Sequence, residues 1–84
     1  MPDIEFSKHA LEQINLRAIP LVVAHSVLNN PQQIITENGK RIYQSIINFE
    51  DGNYLVRVFV NIEKEPNLVI TVYKTSKIKK YYEG

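Results

Sequence analysis

The sequence predicts an α+β fold in which two N-terminal helices pack on one face of a four-stranded antiparallel sheet, followed by a short C-terminal helix or tail. Three observations predict it. Apolar residues recur at helical spacing up to Leu28, and segments rich in β-branched residues follow from Ile34 onward. Asn38-Gly39 is a strong signal for a tight hairpin turn between two such segments. Strands joined by tight turns are antiparallel, so the two preceding helices are expected on the same side of one sheet.

The two helices are predicted from their caps and apolar stripes. Ile4 and Phe6 form a short extended lead-in, and Ser7 is a suitable N-cap for a helix of roughly Lys8 to Arg17. Pro20 suits the first position of the second helix, because its missing amide proton costs nothing there. The buried stripes are Ala10, Leu11, Ile14 and Ala18 on the first helix, and Val23, Ala24, Val27 and Leu28 on the second.

The four strands are predicted from alternation and turn signals. They comprise Ile34-Ile35, Arg41 to Phe49, Tyr54 to Ile62, and Leu68 to Tyr73, and Ser76 is a candidate cap for a helix through Tyr82. Alternation places Val56, Val58, Val60 and Ile62 toward the helices, and Leu68, Ile70 and Val72 beside them. Arg57 and Tyr73 are therefore expected on the open face of the sheet.

Length and composition favour a small globular protein. The chain has 84 residues, 44% of them hydrophobic, and we expect a single domain over residues 1–84. The absence of cysteine excludes disulfides and thiolate metal sites and favours a reducing cytoplasm. The first residues lack the apolar segment of a signal peptide, and no apolar run approaches the ~20 residues of a membrane span. We therefore expect a cytoplasmic protein with no membrane association.

The net charge of +1 conceals positive charge near the C-terminal end. Residues 73–84 carry four lysines against one glutamate, with tyrosines among them. Such a combination holds single-stranded nucleic acid, since cations bind phosphates and aromatic rings stack on bases. The same segment also fits a short amphipathic helix with solvated lysines. The candidate RNA-binding residues are Arg41, Lys74, Lys77, Lys79, Lys80 and Tyr81.

Four residues have side chains suited to RNA cleavage without a metal: His9, Arg17, Arg57 and Tyr73. Histidine exchanges protons near neutral pH, and arginine binds two phosphate oxygens at once. Tyrosine can transfer a proton in a cationic neighbourhood. Three glycines are too few for a nucleotide-cradling loop, and neither a His/Asp/Glu metal cluster nor Ser-His-Asp spacing occurs, so no cofactor is predicted.

Each of these side chains also has a purely structural explanation. His9 at a helix start can bond a backbone carbonyl, and Arg17 at a helix end interacts favourably with the helix dipole, by ~0.3–1 kcal/mol. Arg57 in a valine-rich strand needs a partner or water, and a cross-strand ion pair with Glu37 is one alternative. His25 on the second helix is interpreted as a boundary residue.

Two segments resemble a known family. The run Phe6-Ser-Lys-His-Ala-Leu-Glu12 with Arg17-Ala-Ile19, followed by a helix and Asn-Pro, resembles the bacterial domain of unknown function 4258. The closing Val69-Ile-Thr-Val-Tyr-Lys-Thr-Ser76 is similar to the last strand of that family. The family is usually placed beside the BrnT and RelE/ParE toxins, many of which are small ribonucleases paired with an antitoxin. The resemblance therefore implies a RelE/BrnT-like fold.

The resemblance also extends to single residues. His9 and Arg17 match the histidine of the family's first helix and its second arginine. Gln13 stands where the family often has an arginine, and Pro20 replaces the usual serine or threonine cap.

Two hypotheses of function follow. The first is a toxin-like RNA-binding domain, a candidate metal-independent ribonuclease of a toxin-antitoxin pair, whose partners are RNA or the ribosome and a cognate antitoxin. The alternative is a non-catalytic protein-interaction module with a RelE-like fold, favoured by Gln13 and the low net charge. A homodimer formed through exposed sheet edges is a further candidate assembly.

Overall fold

The computed structural model describes residues 4–83, which form a five-stranded sheet with two helices on one face and a short third helix near the C-terminal end. The sheet order is β1-β5-β4-β3-β2. The elements are β1 (Ile4–Phe6), α1 (Lys8–Leu16), α2 (Leu21–Asn29), β2 (Gln33–Glu37), β3 (Lys40–Phe49), β4 (Gly52–Asn61), β5 (Asn67–Thr75) and α3 (Ile78–Tyr81).

The predicted four-stranded antiparallel sheet is wrong. Ile4–Phe6, expected as a lead-in, is a strand that pairs in parallel with Asn67 to Val69 of β5, so the sheet is five-stranded and mixed. The pairs β2–β3, β3–β4 and β4–β5 are antiparallel, as predicted. Two parallel strands are connected through other elements rather than by a tight turn, so no turn signal in the sequence predicts their pairing. Three residues are also too few for alternation to reveal a strand.

Both helices begin close to the predicted residues. The Ala10 amide donates to the Ser7 hydroxyl at 3.0 Å, which confirms Ser7 as the N-cap of α1. Pro20 is the N-cap of α2 rather than its first helical residue. No helix within residues 4–83 has the length and apolar character needed to cross a membrane.

The C-terminal end of α1 contains an unusual alanine. The Ile19 amide donates to the Ile14 carbonyl at 3.0 Å and the Ala18 amide to the Asn15 carbonyl at 3.3 Å, the two bonds of a Schellman motif. Ala18 has φ 53°, the left-handed conformation for which glycine is favoured. This residue therefore stores strain that a substitution can release.

Ala18→Gly is expected to raise the free energy of unfolding by about 0.5–1 kcal/mol. Glycine avoids the ~1–2 kcal/mol penalty of a left-handed alanine. Part of this gain is lost, because glycine also raises the conformational entropy of the unfolded chain. Urea denaturation followed by circular dichroism measures the change. Ala10→Gly, inside α1, is the control and should lower stability. A loss of stability in Ala18→Gly would contradict the geometry at the end of α1.

The core lies between the helices and the valine face of β4, as predicted. Val56, Val58 and Val60 are fully buried there. The members of this core are Ala10, Ile14, Ile19, Ala24, Val27, Tyr43, Val56, Val58, Val60, Val69 and Val72.

The predicted core set of β5 is only partly right. Val69 and Val72 are fully buried, whereas Leu68 and Ile70 are half-buried. Val60 lies opposite Val69 but Phe59 lies opposite Thr71, so β5 carries an extra residue in a β-bulge. The bulge shifts the alternation by one residue, which a strict period of two does not foresee.

The sheet face opposite α1 and α2 is covered by the chain end rather than left open. The Gln44 side chain donates to the Tyr81 carbonyl at 3.1 Å, and the Glu83 amide donates to Gln33 Oε1 at 3.0 Å. The predicted C-terminal helix is present, but Ser76 is not its cap, since Lys77 holds that position without a side-chain bond. Residues 78–83 are called the C-terminal segment below.

Candidate functional site

Arg57 lies at the centre of the sheet face opposite the helices. Its neighbours are Gln44 on β3 and Tyr73 on β5. Arg57 Nε donates to Gln44 Oε1 at 2.9 Å, and Nη1 donates to the Tyr73 hydroxyl at 2.8 Å. The considered ion pair with Glu37 is not formed, because Glu37 lies opposite Lys40 at the end of β2. Both bonding partners are neutral, so they hold the guanidinium group without cancelling its charge.

Three aromatic rings surround the Arg57 guanidinium group. Its Cζ lies 4.6 Å from the ring centre of Tyr81, 5.2 Å from that of Phe59 and 5.8 Å from that of Tyr73. Each such contact stabilises a cation by ~0.5–2 kcal/mol, which offsets part of the cost of withdrawing the charge from water. Arg57 is 8% exposed. Since no buried side-chain nitrogen or oxygen in residues 4–83 lacks a hydrogen-bond partner, the guanidinium nitrogen without a protein partner reaches the surface.

A polar stripe on α1 runs along the free edge of β5. His9, Gln13 and Arg17 recur every four residues and so share one helix face. The Val72 amide donates to Gln13 Oε1 at 3.3 Å, and Arg17 Nη1 donates to the Val72 carbonyl at 2.8 Å. Gln13 Nε2 lies 2.8 Å from His9 Nε2. The stripe therefore supplies hydrogen-bond partners for the main-chain groups of Val72 on β5, beyond the point where β1 ends.

Gln13 determines how His9 is held. Because Gln13 Oε1 is used by Val72, the Gln13 amide nitrogen faces His9 and donates to it. His9 Nε2 is then the acceptor, which places the hydrogen of the neutral ring on Nδ1. His9 is exposed, so this contact is open to exchange with water or a ligand.

Three of the four candidate catalytic residues, Arg17, Arg57 and Tyr73, come together at the Tyr73 ring. The Cζ atoms of Arg17 and Arg57 lie 5.9 and 5.8 Å from the Tyr73 ring centre. The Tyr73 ring stacks on Phe59 at 5.9 Å and meets Tyr81 edge-on at 6.5 Å. We call Arg17, Arg57, Phe59, Tyr73 and Tyr81 the Tyr73 cluster. His9 is linked to this cluster indirectly, because it bonds Gln13 and Gln13 bonds the amide of Val72, the residue before Tyr73.

The predicted RNA-binding residues divide between the two sheet faces. Lys80 lies 5.3 Å from the Tyr81 ring centre, at the Tyr73 cluster. The exposed Lys77 and Lys79 line a shallow, open depression around α3, together with Ser76, Ile78 and Lys80. Lys80 and Tyr81 therefore belong to the side of the molecule that carries Arg57, and Lys77 and Lys79 are their neighbours around α3.

Arg41 and Lys74 lie on the helix-bearing face. Arg41 is opposite Val60 and donates to the Tyr43 hydroxyl at 3.4 Å. Lys74 is opposite Val56, and its Nζ lies 4.3 Å from the Phe49 ring centre and 5.0 Å from that of Tyr54. The structure therefore separates these two cations from the Tyr73 cluster.

A hydrogen bond beside the turn between β3 and β4 shifts the pKa values of both of its partners. The Tyr54 hydroxyl donates to Asp51 Oδ2 at 2.7 Å, which lowers the pKa of Asp51 and raises that of Tyr54. Tyr54 lies three residues from Arg57 along β4 and contacts Lys74, so it belongs to the opposite face of the sheet from the Tyr73 cluster. Within residues 4–83, no group of three or more His, Asp or Glu side chains is placed to hold a metal ion.

Two glutamines of the site were not among the predicted site residues, although Gln13 was noted as replacing an arginine of the family. Gln13 anchors the α1 stripe, and Gln44 is a fully buried hub that bonds Arg57, Gln33 and the Tyr81 carbonyl. The four-residue repeat of polar residues on α1 was a usable signal for Gln13. Gln44 offered none, because its burial depends on the C-terminal segment.

The fold and site define an α+β domain with a cationic, aromatic cluster on one sheet face. The family described as "Domain of unknown function (DUF4258)" matches residues 6–74, so the chain belongs to this family, as predicted. No curated protein and no solved structure matches the chain. The matched range contains His9, Arg17, Arg57 and Tyr73 and ends before the C-terminal segment.

Proposed function

We propose that this domain binds single-stranded RNA on the sheet face that carries Arg57. The observation that carries the proposal is the convergence of two arginines, from different elements, on one tyrosine ring. Their hydrogen-bond acceptors within residues 4–83 are the Gln44 side-chain carbonyl, the Tyr73 hydroxyl and the Val72 main-chain carbonyl, and all three are uncharged. Two guanidinium groups that bond no carboxylate among the described residues 4–83 favour an anionic ligand.

The aromatic rings favour a nucleic acid over a small anion. Phe59 and Tyr73 are half-buried beside the guanidinium groups and stack on each other. Bases stack on such rings with ~1–3 kcal/mol each, while arginine and lysine hold the backbone phosphates. Lys77, Lys79 and Lys80 extend the positive charge beyond the cluster. We choose RNA rather than DNA as the proposed ligand because of the resemblance to RelE-type toxins stated from the sequence.

His9, together with Arg57 and Tyr73 of the cluster, has the side chains needed for metal-free RNA cleavage. In that reaction the 2′-oxygen attacks the adjacent phosphorus as its proton passes to a base, and the 5′-oxygen leaves with a proton from an acid. His9 Nε2 is the candidate base once Gln13 turns away from it. Tyr73 is the candidate acid, since its hydroxyl accepts from Arg57 and retains its own hydrogen. The Arg57 charge would stabilise the pentacoordinate phosphorus.

Fluorescence anisotropy with a labelled single-stranded RNA tests the proposal. We expect a dissociation constant of about 10⁻⁴–10⁻⁶ M at physiological salt, weakening as salt rises. The same sequence as a duplex should bind less well, because its bases are unavailable for stacking. No detectable binding to the single strand would contradict the proposal.

A cleavage assay with EDTA present distinguishes a metal-independent ribonuclease from a domain that only binds RNA. Products ending in a 2′,3′-cyclic phosphate that disappear in His9→Ala would assign catalysis to this domain. Binding without cleavage would assign an RNA-binding domain that has no nuclease activity. Growth arrest on expression, relieved by the product of an adjacent gene, would place it in a toxin-antitoxin pair.

A protein-interaction module is the second candidate function. Large aliphatic side chains are exposed where α1 ends and α2 begins, with Leu16 85% and Val22 72% exposed. Exposed aliphatic residues in one region indicate a protein contact more often than isolated ones do. Sedimentation of Leu16→Lys/Val22→Lys against the unmodified chain tests self-association. Equal mass for both at all concentrations would remove self-association as the function of this corner.

A further inference from the structure

The C-terminal segment lies outside the family match yet covers the centre of the site. The match ends at residue 74, and residues 78–83 fold onto the face that carries Arg57. Arg57 is therefore covered by a segment that is not part of the family match.

Besides the Tyr81 ring contacts, hydrogen bonds to its main chain hold the segment in place. Gln44 donates to the Tyr81 carbonyl, while Gln33 both accepts from the Glu83 amide and donates to the Glu83 carbonyl. Both bonds between Gln33 and Glu83 are exposed. α3 has four residues and no side-chain cap. A four-residue helix, and the exposed hydrogen bonds that hold residue 83 beyond it, belong to the least stable part of a fold.

The Tyr81 ring occupies a place suited to a base. It is the ring closest to the Arg57 guanidinium group, at 4.6 Å. A nucleobase stacks on a guanidinium plane in the same way as a tyrosine ring does. Tyr81 and a bound base therefore compete for the same surface.

We propose that the C-terminal segment is a displaceable cover, in which Tyr81 occupies the Arg57 surface until single-stranded RNA replaces it. This inference rests on the proposed RNA binding at the Tyr73 cluster. It reverses the role predicted for Tyr81, which becomes a competitor of RNA rather than a contact. When the competent state is only fractionally populated, apparent affinity falls by that fraction, so opening the cover increases affinity.

Two substitutions at residue 83 test the cover without touching the Tyr73 cluster. Glu83→Pro removes the amide that donates to Gln33, and Tyr82 is already extended, as a residue before proline prefers. Glu83→Ala removes the same carboxylate but keeps the amide, so the pair isolates the hydrogen bond from the charge. We expect Glu83→Pro to bind the labelled RNA about five- to tenfold more tightly than Glu83→Ala.

Tyr81→Ala provides an independent test, because the two possible roles of Tyr81 predict opposite changes in RNA affinity. A cover predicts tighter RNA binding, whereas an RNA contact predicts weaker binding. Side-chain amide signals of Gln33 and Gln44 in NMR spectra should move on RNA addition toward their positions in Glu83→Pro. Equal affinity of the two residue-83 variants, or weaker binding by Tyr81→Ala, would overturn the cover while RNA binding stands. If no variant binds RNA, the proposed function fails and the cover fails with it.

Discussion

Replacing Gln44 with leucine is expected to lower the free energy of unfolding by roughly 2–4 kcal/mol, the largest stability effect among the polar residues of the site. Gln44 is 0% exposed and bonds Arg57, Gln33 and the Tyr81 carbonyl. Leucine would leave the Arg57 Nε–H buried without a partner, and an unpaired buried charge is costly. Urea denaturation of Gln44→Leu measures the loss.

A double-mutant cycle distinguishes this explanation from simple loss of packing. In Gln44→Leu/Arg57→Leu no buried guanidinium remains to be satisfied, so the double variant should be more stable than the sum of the single changes predicts. Ile42→Leu, on the same strand and face, is the control for altered shape and should cost below about 1.5 kcal/mol. Additive single changes would contradict the coupling.

Loss of either arginine of the Tyr73 cluster is expected to weaken RNA binding by about tenfold. Each guanidinium is proposed to hold a phosphate, and a hydrogen bond between charged groups contributes ~1.5–3 kcal/mol. Each loss should also reduce the slope of log affinity against log salt by about 0.7. Arg17→Gln is the safer variant because Arg17 is exposed, and Arg57→Gln tests the buried partner. Anisotropy titrations over a range of salt concentrations provide both values.

Lys74→Gln is the matched control for the arginine variants. It removes one positive charge from the residue next to Tyr73, but on the opposite face, where Lys74 contacts Phe49 and Tyr54. Its affinity and salt slope should stay close to those of the unmodified chain. A loss equal to that of Arg17→Gln would mean that net charge, and not the cluster, accounts for binding.

Local signals predicted the parts of this fold that local chemistry decides. Ser7 caps α1 through its own hydroxyl, and Asn38-Gly39 adopts φ values of 48° and 75°, which a two-residue hairpin turn requires. The valines of β4 alternate as expected. These features depend on residues that are close in sequence, so their pattern contains the information.

The features that were missed depend on distant partners. The parallel pairing of Ile4–Phe6 with β5 joins segments more than 60 residues apart in the chain. The bulge at Ile70 exists only relative to Phe59 and Val60. Arg57 was rightly placed on the face away from the helices, but one of the rings that cover it is Tyr81, at the far end of the chain. No local period carries that information.

Cross-linking tests the central claim most directly, since it reports which sheet face meets the RNA. A photoactivatable single-stranded RNA should cross-link to Phe59 or Tyr73, the half-buried rings beside Arg57. Mass spectrometry of the digested complex identifies the modified residue. Cross-links confined to Phe6, Phe49 or Tyr54, on the helix-bearing side, would contradict binding at the Tyr73 cluster.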